Sequence, residues 1–293
     1  MKSGGIIYGA AYNDQGIVKH IGIENREELQ KLRGAKYSQS ILGDCFQLLK
    51  RQLISGRKVL FSGTSCQVAG LKAYLQKDYN NLICVDFVCH GVPSPMVWEK
   101  YLKYRAKIDN NGVLPQHINM RNKESGWSKY SYSIDFSYTD NRRYLSQNGN
   151  DPFMILFVND YILRESCSNC RFKGYSRDSD ITLGDFWGIW NIDSDMDDNG
   201  GTSLVLVNSA KGENMLAEIS ENIKCKKFTL EQAVRENPSL IKSVVHKADR
   251  DHILKMIECG NFSAVLSLIQ GNQSKKSFSK RIIEIVFKKL QKL

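Results

Sequence analysis

Lys58-Val59-Leu60-Phe61-Ser62-Gly63-Thr64-Ser65-Cys66 and, after a short helical stretch, Leu82-Ile83-Cys84-Val85-Asp86-Phe87-Val88-Cys89 decide the fold. Each starts as a short apolar run rich in β-branched and aromatic residues, the pattern of a strand. Between them, Gln67 to Leu75 has the spacing of a short helix. Strand, helix and strand in this order form a β-α-β unit, whose crossover makes the two strands parallel. The loops leaving both strands then emerge at one carboxyl edge of the sheet, where sites in open α/β folds lie. Cys66 follows the first strand and Cys89 the second, so the topology gathers two thiols 23 positions apart.

Upstream, Gly5 to Tyr12 reads as a buried strand and Ile17 to Ile23 as its hairpin partner across the Asn13-Asp14-Gln15-Gly16 turn. Residues 26–33 form a charged helix ending near Gly34, and 41–55 has helical spacing through Ile41, Cys45, Leu48, Leu49 and Leu53. Downstream of Pro93 and Pro95 a helix runs through Val97, Trp98, Tyr101 and Leu102. Tyr130 to Phe136 alternates polar and apolar residues, so about 116–146 is expected to hold antiparallel strands. A helix from Pro152 to about Leu163 leads into Cys167-Ser168-Asn169-Cys170. Asp180 to Phe186 and Ser203 to Val207 read as core strands around an acidic, Gly-rich loop at 193–201, and the rest as helix. The fold class is α/β, a mixed sheet with a β-α-β core flanked by helices, an antiparallel insertion and a helical C-terminal tail. A shift of composition at Gly271-Asn272-Gln273-Ser274 divides a domain over 1–270 from a tail over 271–293.

With 293 residues, 42% of them apolar, the chain can bury a substantial core. No charged leader with an apolar run opens it, and no stretch reaches the roughly 18 apolar residues that span a bilayer, so a cytoplasmic location is expected. Eight cysteines in a chain of this length are too sparse for a secreted disulfide framework and are expected to be thiols or metal ligands. The net charge of +10 is concentrated in 275–293, where seven cations face Glu284 alone. No basic stripe interleaved with aromatics runs through the body, which argues against specific nucleic-acid binding.

The C-x-x-C spacing of Cys167 and Cys170 lets two thiolates reach one metal centre. A closed site needs two more ligands, and Cys66 and Cys89 are the pair that the β-α-β unit supplies. Cys45, Cys84, Cys225 and Cys259 fit the ordinary role of small buried hydrophobes. The same four thiolates would satisfy either a structural zinc ion or an iron–sulfur cluster.

Gly63-Thr64-Ser65-Cys66-Gln67-Val68-Ala69-Gly70-Leu71, Asp86-Phe87-Val88-Cys89-His90-Gly91-Val92-Pro93-Ser94-Pro95, Cys167-Ser168-Asn169-Cys170-Arg171-Phe172-Lys173-Gly174 and Ser179-Asp180-Ile181-Thr182-Leu183-Gly184-Asp185-Phe186-Trp187-Gly188 resemble the coenzyme F420 hydrogenase/dehydrogenase beta subunit family. The resemblance covers about residues 4–210 and is strongest to a bacterial branch found beside surface-polysaccharide genes. It implies a redox domain over 1–270 with a 4Fe–4S cluster on Cys66, Cys89, Cys167 and Cys170, and with FAD. It also implies an oxidoreductase that relays electrons between a carrier such as ferredoxin and a small organic substrate. Family members begin with a ferredoxin-like module and a Ser-Gly-Gly segment opening a helix, whereas this chain starts at the strand that follows. The expectation is therefore a fragment, or a chain served by a separate ferredoxin and lacking part of the flavin phosphate site. Ser65 stands where relatives commonly carry proline, a change expected to loosen the loop while keeping the ligand.

Lys36, Tyr37 and Ser38 lie in a segment similar to one near the family's cofactor, and with Gly63 and Thr64 they are the expected flavin-side residues. The alternative is a surface turn. His90, beside Cys89, is the candidate proton donor or cluster hydrogen-bond partner, against a plain loop-rigidifying role. Arg121 and Lys123, with Trp127, are a basic–aromatic group able to receive an anionic substrate, or else solvated surface. Asp185 and Trp187 read as packing. In the tail, Ile282, Ile283, Val286, Phe287, Leu290 and Leu293 share one face of a possible helix, suited to a membrane surface, a protein partner or its own domain. The opposing functional class is a non-enzymatic remnant or scaffold with a structural four-cysteine metal site.

Overall fold

The computed structural model of the protein describes residues 4–127 and 131–269. Strands β1 (Ile6–Tyr12) and β2 (Val18–Ile23) form the expected antiparallel hairpin. Its turn is closed by the Asn13 side chain, whose Oδ1 accepts the N–H groups of Gln15 and Ile17. Helix α1 (Leu29–Leu32) is a single turn with no fully buried residue, shorter than the helix expected over 26–33, because the packing of Leu32 against Gly9 of β1 offsets little of the cost of nucleating a longer one. Helix α2 (Cys45–Ile54) buries Cys45, Leu49 and Leu53, the 3.6-residue stripe of its sequence.

The central unit follows expectation. Strand β3 (Val59–Ser62) passes through Thr64 into α3 (Ser65–Leu75) and returns as β4 (Leu82–Phe87), parallel to β3. Thr64 and Gln67 start α3 with a reciprocal capping box. Helix α4 (Pro95–Asn110) begins with Ser94 as cap and proline at its first position, where the missing N–H costs nothing. Strands β5 (His117–Asn122), β6 (Ser133–Ser137) and β7 (Arg143–Gln147) make the antiparallel insertion. Helix α5 (Pro152–Val158) stops well before Leu163, since Asn159 begins a turn in which Asp160 takes a left-handed φ of 65°. Strands β8 (Ile181–Asp185) and β9 (Ser203–Val207) follow, then α6 (Ala210–Ile219), α7 (Leu230–Arg235) and α8 (Arg250–Glu258), with irregular segments where unbroken helix was expected.

The large sheet has the order β2-β1-β3-β4-β8-β9, with β1, β3, β4 and β8 parallel and antiparallel edges, and β5-β6-β7 form a second sheet. On one face of the large sheet Tyr8, Val59, Phe61 and Cys84 pack under α2 and α3 with Leu49, Val68 and Leu71. Leu49, Val68, Phe61 and Leu71 have no exposed surface, and each such side chain contributes about 1.5–3 kcal/mol of burial. The other face carries Phe87, Leu183, Val205 and Val207 exposed, although Phe87, Leu183 and Val205 are neighbours across three strands. A larger core joins α4, α5, β6, α8 and residues 262–269 around Trp98, Tyr101, Phe136 and Phe153. Among the described residues no helix is long and apolar enough to cross a membrane. The basic tail of 271–293 lies outside the described residues.

Candidate functional site

Cys66 is the second residue of α3 and Cys89 lies two residues past β4, so both stand at the carboxyl edge of two adjacent parallel strands. Cys167 ends a 3-10 turn, Glu165–Cys167, and Cys170 follows it. Two backbone links dock that turn beside Cys89. Arg164 N–H donates to Val92 O at 2.9 Å, and Pro93 and Leu163 form a bridge. Gly91 makes the approach possible, since a Cβ there would sit 2.9 Å from Leu163 Cδ1 and 3.4 Å from Cys167 Cβ.

All four are free thiols, Cys66 exposed and the others half-buried. They lie within one another's electrostatic reach. Burial, and then the thiolates of Cys66, Cys167 and Cys170, push the Cys89 pKa up to about 12, while the Lys173 ammonium pulls against them. Burial likewise raises Cys167, with Cys170 and Cys66 adding to it and the Val92 N–H opposing it by donating to its sulfur. Cys89 and Cys167 resist ionising as bare thiols, and a multivalent cation beside them is what would let them carry charge. In that sense the donor set fits a thiolate-bound metal group. Among the described residues, no three His, Cys, Asp or Glu side chains close on the spacing of a single bound ion.

The surrounding polar groups address the same four residues. Lys173 Nζ donates to the carbonyls of Cys89 and of Ser239, the latter at 2.6 Å. Cys170 N–H donates to Ser243 Oγ at 3.0 Å, and Thr64 Oγ1 stands 3.1 Å from Cys66 Sγ. His90 packs its ring edge on Phe157, centroids 5.3 Å apart. Its Nε2 lies 2.8 Å from Asp160 Oδ1, close enough for an ion pair yet angled away from hydrogen-bond geometry.

The expected flavin-side residues are each engaged within the protein. Lys36 Nζ donates to the carbonyls of Leu32, Arg33 and Gly34 at 3.2, 2.9 and 3.1 Å, capping α1, and burial lowers its pKa to about 8. A phosphate would have to draw the amine away from those carbonyls. Tyr37 stacks at a tilt on Phe157, 4.8 Å between centroids, and hydrogen-bonds Tyr132. Ser38 is buried, and the space a Gly63 side chain would need is filled by Gln67 and Phe61. Thr64 is committed to capping α3.

Arg121 and Lys123 do share a site, built differently from expectation. Arg121 Nη1 pairs with Asp185 Oδ2 at 2.8 Å, and its guanidinium lies 4.2 Å from the Trp127 ring centroid, 5.5 Å from Tyr132 and 5.7 Å from Trp187. Lys123 Nζ sits over Trp127 at 4.6 Å and donates to Gly200 O. An anion reaching Arg121 would compete with Asp185. Trp127 and Trp187 stack at 5.7 Å and, with Asp185, Phe186, Trp190 and Thr202, line a cavity of about 280 Å³. Asp185 and Trp187, read from sequence as packing, are thus part of this cavity. Their signal was their place at the carboxyl end of a core strand, β8. A run of contacts joins the cavity to the cysteines, from Trp127 and Arg121 through Tyr132, Tyr37 and Phe157 to His90.

Cys45 and Cys84 are buried as expected, but Cys225 and Cys259 are exposed, the former in an irregular segment and the latter capping α8. His20 was not singled out from the sequence. Its Nδ1 meets Ser40 Oγ at 2.8 Å, Ser40 Oγ accepts from Gln67 Nε2 at 2.9 Å, and Gln67 closes the cap next to Cys66. Burial lowers the His20 pKa below its ordinary 6.5, so the unfolded chain takes up the proton first as pH falls. Stability is therefore expected to drop as pH falls through the unfolded value. Thermal midpoints measured from about pH 7 to about pH 5 should fall more steeply for the wild type than for His20→Gln, and equal slopes would refute the assignment.

A family model for the C-terminal region of the beta chain of coenzyme F420 hydrogenase/dehydrogenase matches residues 56–233, more than half of the chain. No curated protein sequence matches. Among solved structures, the F420-reducing [NiFe] hydrogenase complex from Methanosarcina barkeri, in a xenon-derivatized form, contains a chain with 15% identity. The match covers 92% of this chain and 79% of that one, with a TM-score of 0.48.

Proposed function

The chain belongs to the coenzyme F420 hydrogenase/dehydrogenase beta subunit family, and from that membership we propose that it is an iron–sulfur electron-relay protein of oxidoreductase type. Cys66, Cys89, Cys167 and Cys170 would hold a 4Fe–4S cluster. The observation that carries the proposal is the convergence of four free thiols, from three separate segments, into one another's field. When bound, such a cluster supplies single-electron transfer. Around it the chain's own groups have definite tasks. Lys173 places a cation beside Cys89 and fixes its carbonyl, the Thr64 hydroxyl and the Val92 N–H meet the sulfurs of Cys66 and Cys167, and hydrogen bonds to cluster sulfurs tune potential.

The exposed Cys66 marks the side open to an electron carrier such as ferredoxin, and the Trp127–Trp187 cavity with Arg121 and Lys123 is the proposed place for a small organic substrate. His90 stands between the two, held at Asp160 and Phe157, where it can carry a proton for the electron. FAD is expected from the family resemblance alone, and no step is derived through it. A cytoplasmic location and a role in surface-polysaccharide metabolism belong to the same proposal.

Anaerobic purification of the full chain tests it. The expected result is a brown protein with about four irons and four sulfides per chain that bleaches with dithionite. A colourless chain carrying zinc would overturn the relay and favour a structural four-cysteine site. Flavin released on heating would show FAD directly.

A further inference from the structure

Arg177 lies in a stretch rich in charges, Arg171 to Asp178, yet its side chain is 2% exposed and that of its partner Asp86 0%. Its guanidinium reaches residues next to Cys66, upstream of Cys89 and downstream of Cys170. Nη1 donates to Ser65 Oγ at 2.7 Å, at the start of α3 and adjacent to Cys66, and lies 3.5 Å from Asp86 Oδ2, three residues before Cys89. Nη1 and Nε also donate to Phe172 O at 3.3 Å and Gly174 O at 3.0 Å, on the loop that follows Cys170. Nη2 donates to Leu240 O at 3.1 Å, in the segment whose Ser239 and Ser243 hold Lys173 and Cys170.

Asp86 is fixed in turn. Its Oδ1 accepts the hydroxyls of Ser179, at 2.8 Å, and Thr182, and both hydroxyls also accept from Asn208 Nδ2. A rigid planar fork with five N–H groups is suited to joining several segments at fixed angles, which a lysine cannot do. The strand pairing and the capping box place α3 and β4, and two backbone links dock the Cys167 turn on the Cys89 side. The buried fork adds the tie from the chain after Cys170 to α3 and β4.

We propose that Arg177 and Asp86 are positioning residues that set the distance of Cys66 and Cys89 from the Cys167–Cys170 loop. The proposal rests on the four cysteines forming one site, as inferred above. Ser65, expected from sequence to loosen its loop, is on this account the anchor through which Arg177 holds α3.

Dibromobimane, which becomes fluorescent when it bridges two neighbouring thiols, tests the proposal on the full chain after removal of metal by a chelator. The reading is the part of the yield that Cys66→Ala abolishes. Arg177→Met should lower that part by about tenfold, the population shift for losing a charge-assisted hydrogen bond, with circular dichroism unchanged. Ser65→Ala removes only the link to α3 and should lower the Cys66-dependent yield in the same direction while leaving the fold intact. It decides the matter if Arg177→Met fails to fold. Arg177→Lys should not restore the yield, because it keeps the charge and loses the fork. Unchanged yield in folded Arg177→Met, or in Ser65→Ala, overturns the clasp. An iron-free wild type would instead sink the cluster, while the bimane yield still judges the clasp.

Discussion

On the proposed four-cysteine cluster, Cys89→Ala is expected to strip the anaerobically purified chain of the iron assigned to that site, with at least about a tenfold loss of metal retained through purification. Removing a group that merely supports a ligand costs 10–100-fold in affinity, and removing the ligand costs no less. Cys89 is the most informative of the four because Cys66, Cys167 and Cys170 all act on it and Lys173 is bound to its own carbonyl. Its loss opens the middle of the donor set. The matched control is Cys84→Ala, five positions earlier and fully buried on the helix-covered face of the sheet. That variant should keep its iron and lose stability only. Iron content by inductively coupled plasma spectrometry, together with the visible spectrum before and after dithionite, separates the two. If Cys89→Ala retained the full iron content of the wild type, the four-thiol site would be wrong in its central member.

The β-α-β unit was legible because two short apolar runs on either side of a short helix admit few other topologies, and β3 and β4 pair as that pattern requires. The hairpin at β1 and β2 was legible for the same local reason, since Asn13 and Gly16 announce the turn. Elements that depend on tertiary support were not. The charged segment at 26–33 keeps only one helical turn because it buries no residue fully, and the helix after Pro152 yields to a left-handed Asp160. Strands β4, β8 and β9 are apolar by composition, yet Phe87, Leu183, Val205 and Val207 are exposed on one face of the sheet. Composition reports apolarity and not what covers it.

The placement of Cys66 and Cys89 at one carboxyl edge was legible because their position after two strands is a sequence property. The surroundings of the charged residues were not legible, since an isolated sequence does not show a charge's partners. Arg177 is buried, Lys36 caps a helix turn, and Arg121 is paired with Asp185 under three aromatic rings. In each case the deciding partner is brought by the fold from elsewhere in the chain or from a backbone carbonyl, neither of which periodicity records. Burying a charge is tolerated only with such partners, so these residues could be assigned only after the fold was known.

The larger core contains a group of the same kind with the largest expected effect on stability. Asp151 has no exposed surface. Its Oδ1 accepts the Met154 N–H at 2.8 Å as the cap of α5, and its Oδ2 accepts the hydroxyls of Tyr101 and of Tyr144, the latter at 3.0 Å. Tyr101 is itself fully buried among Trp98, Phe136, Phe153 and Phe262, and Arg105 covers the Tyr144 ring at 3.4 Å. Asp151→Ala removes the cap, worth about 1 kcal/mol, and leaves the buried Tyr101 hydroxyl without its acceptor, at about 1–3 kcal/mol, and the half-buried Tyr144 hydroxyl at less. Some of that returns as the rings shift, so a net loss of about 3–5 kcal/mol is expected, a large part of the stability of an ordinary domain. Asp151→Asn keeps an acceptor for the Met154 N–H and should lose about half as much. Urea unfolding followed by tryptophan fluorescence reads the difference directly, because Trp98 lies in the same core. A midpoint for Asp151→Ala within error of the wild type would mean that α5 and the two phenols are held by packing alone. The helix leading toward the Cys167–Cys170 loop would then not depend on its buried cap.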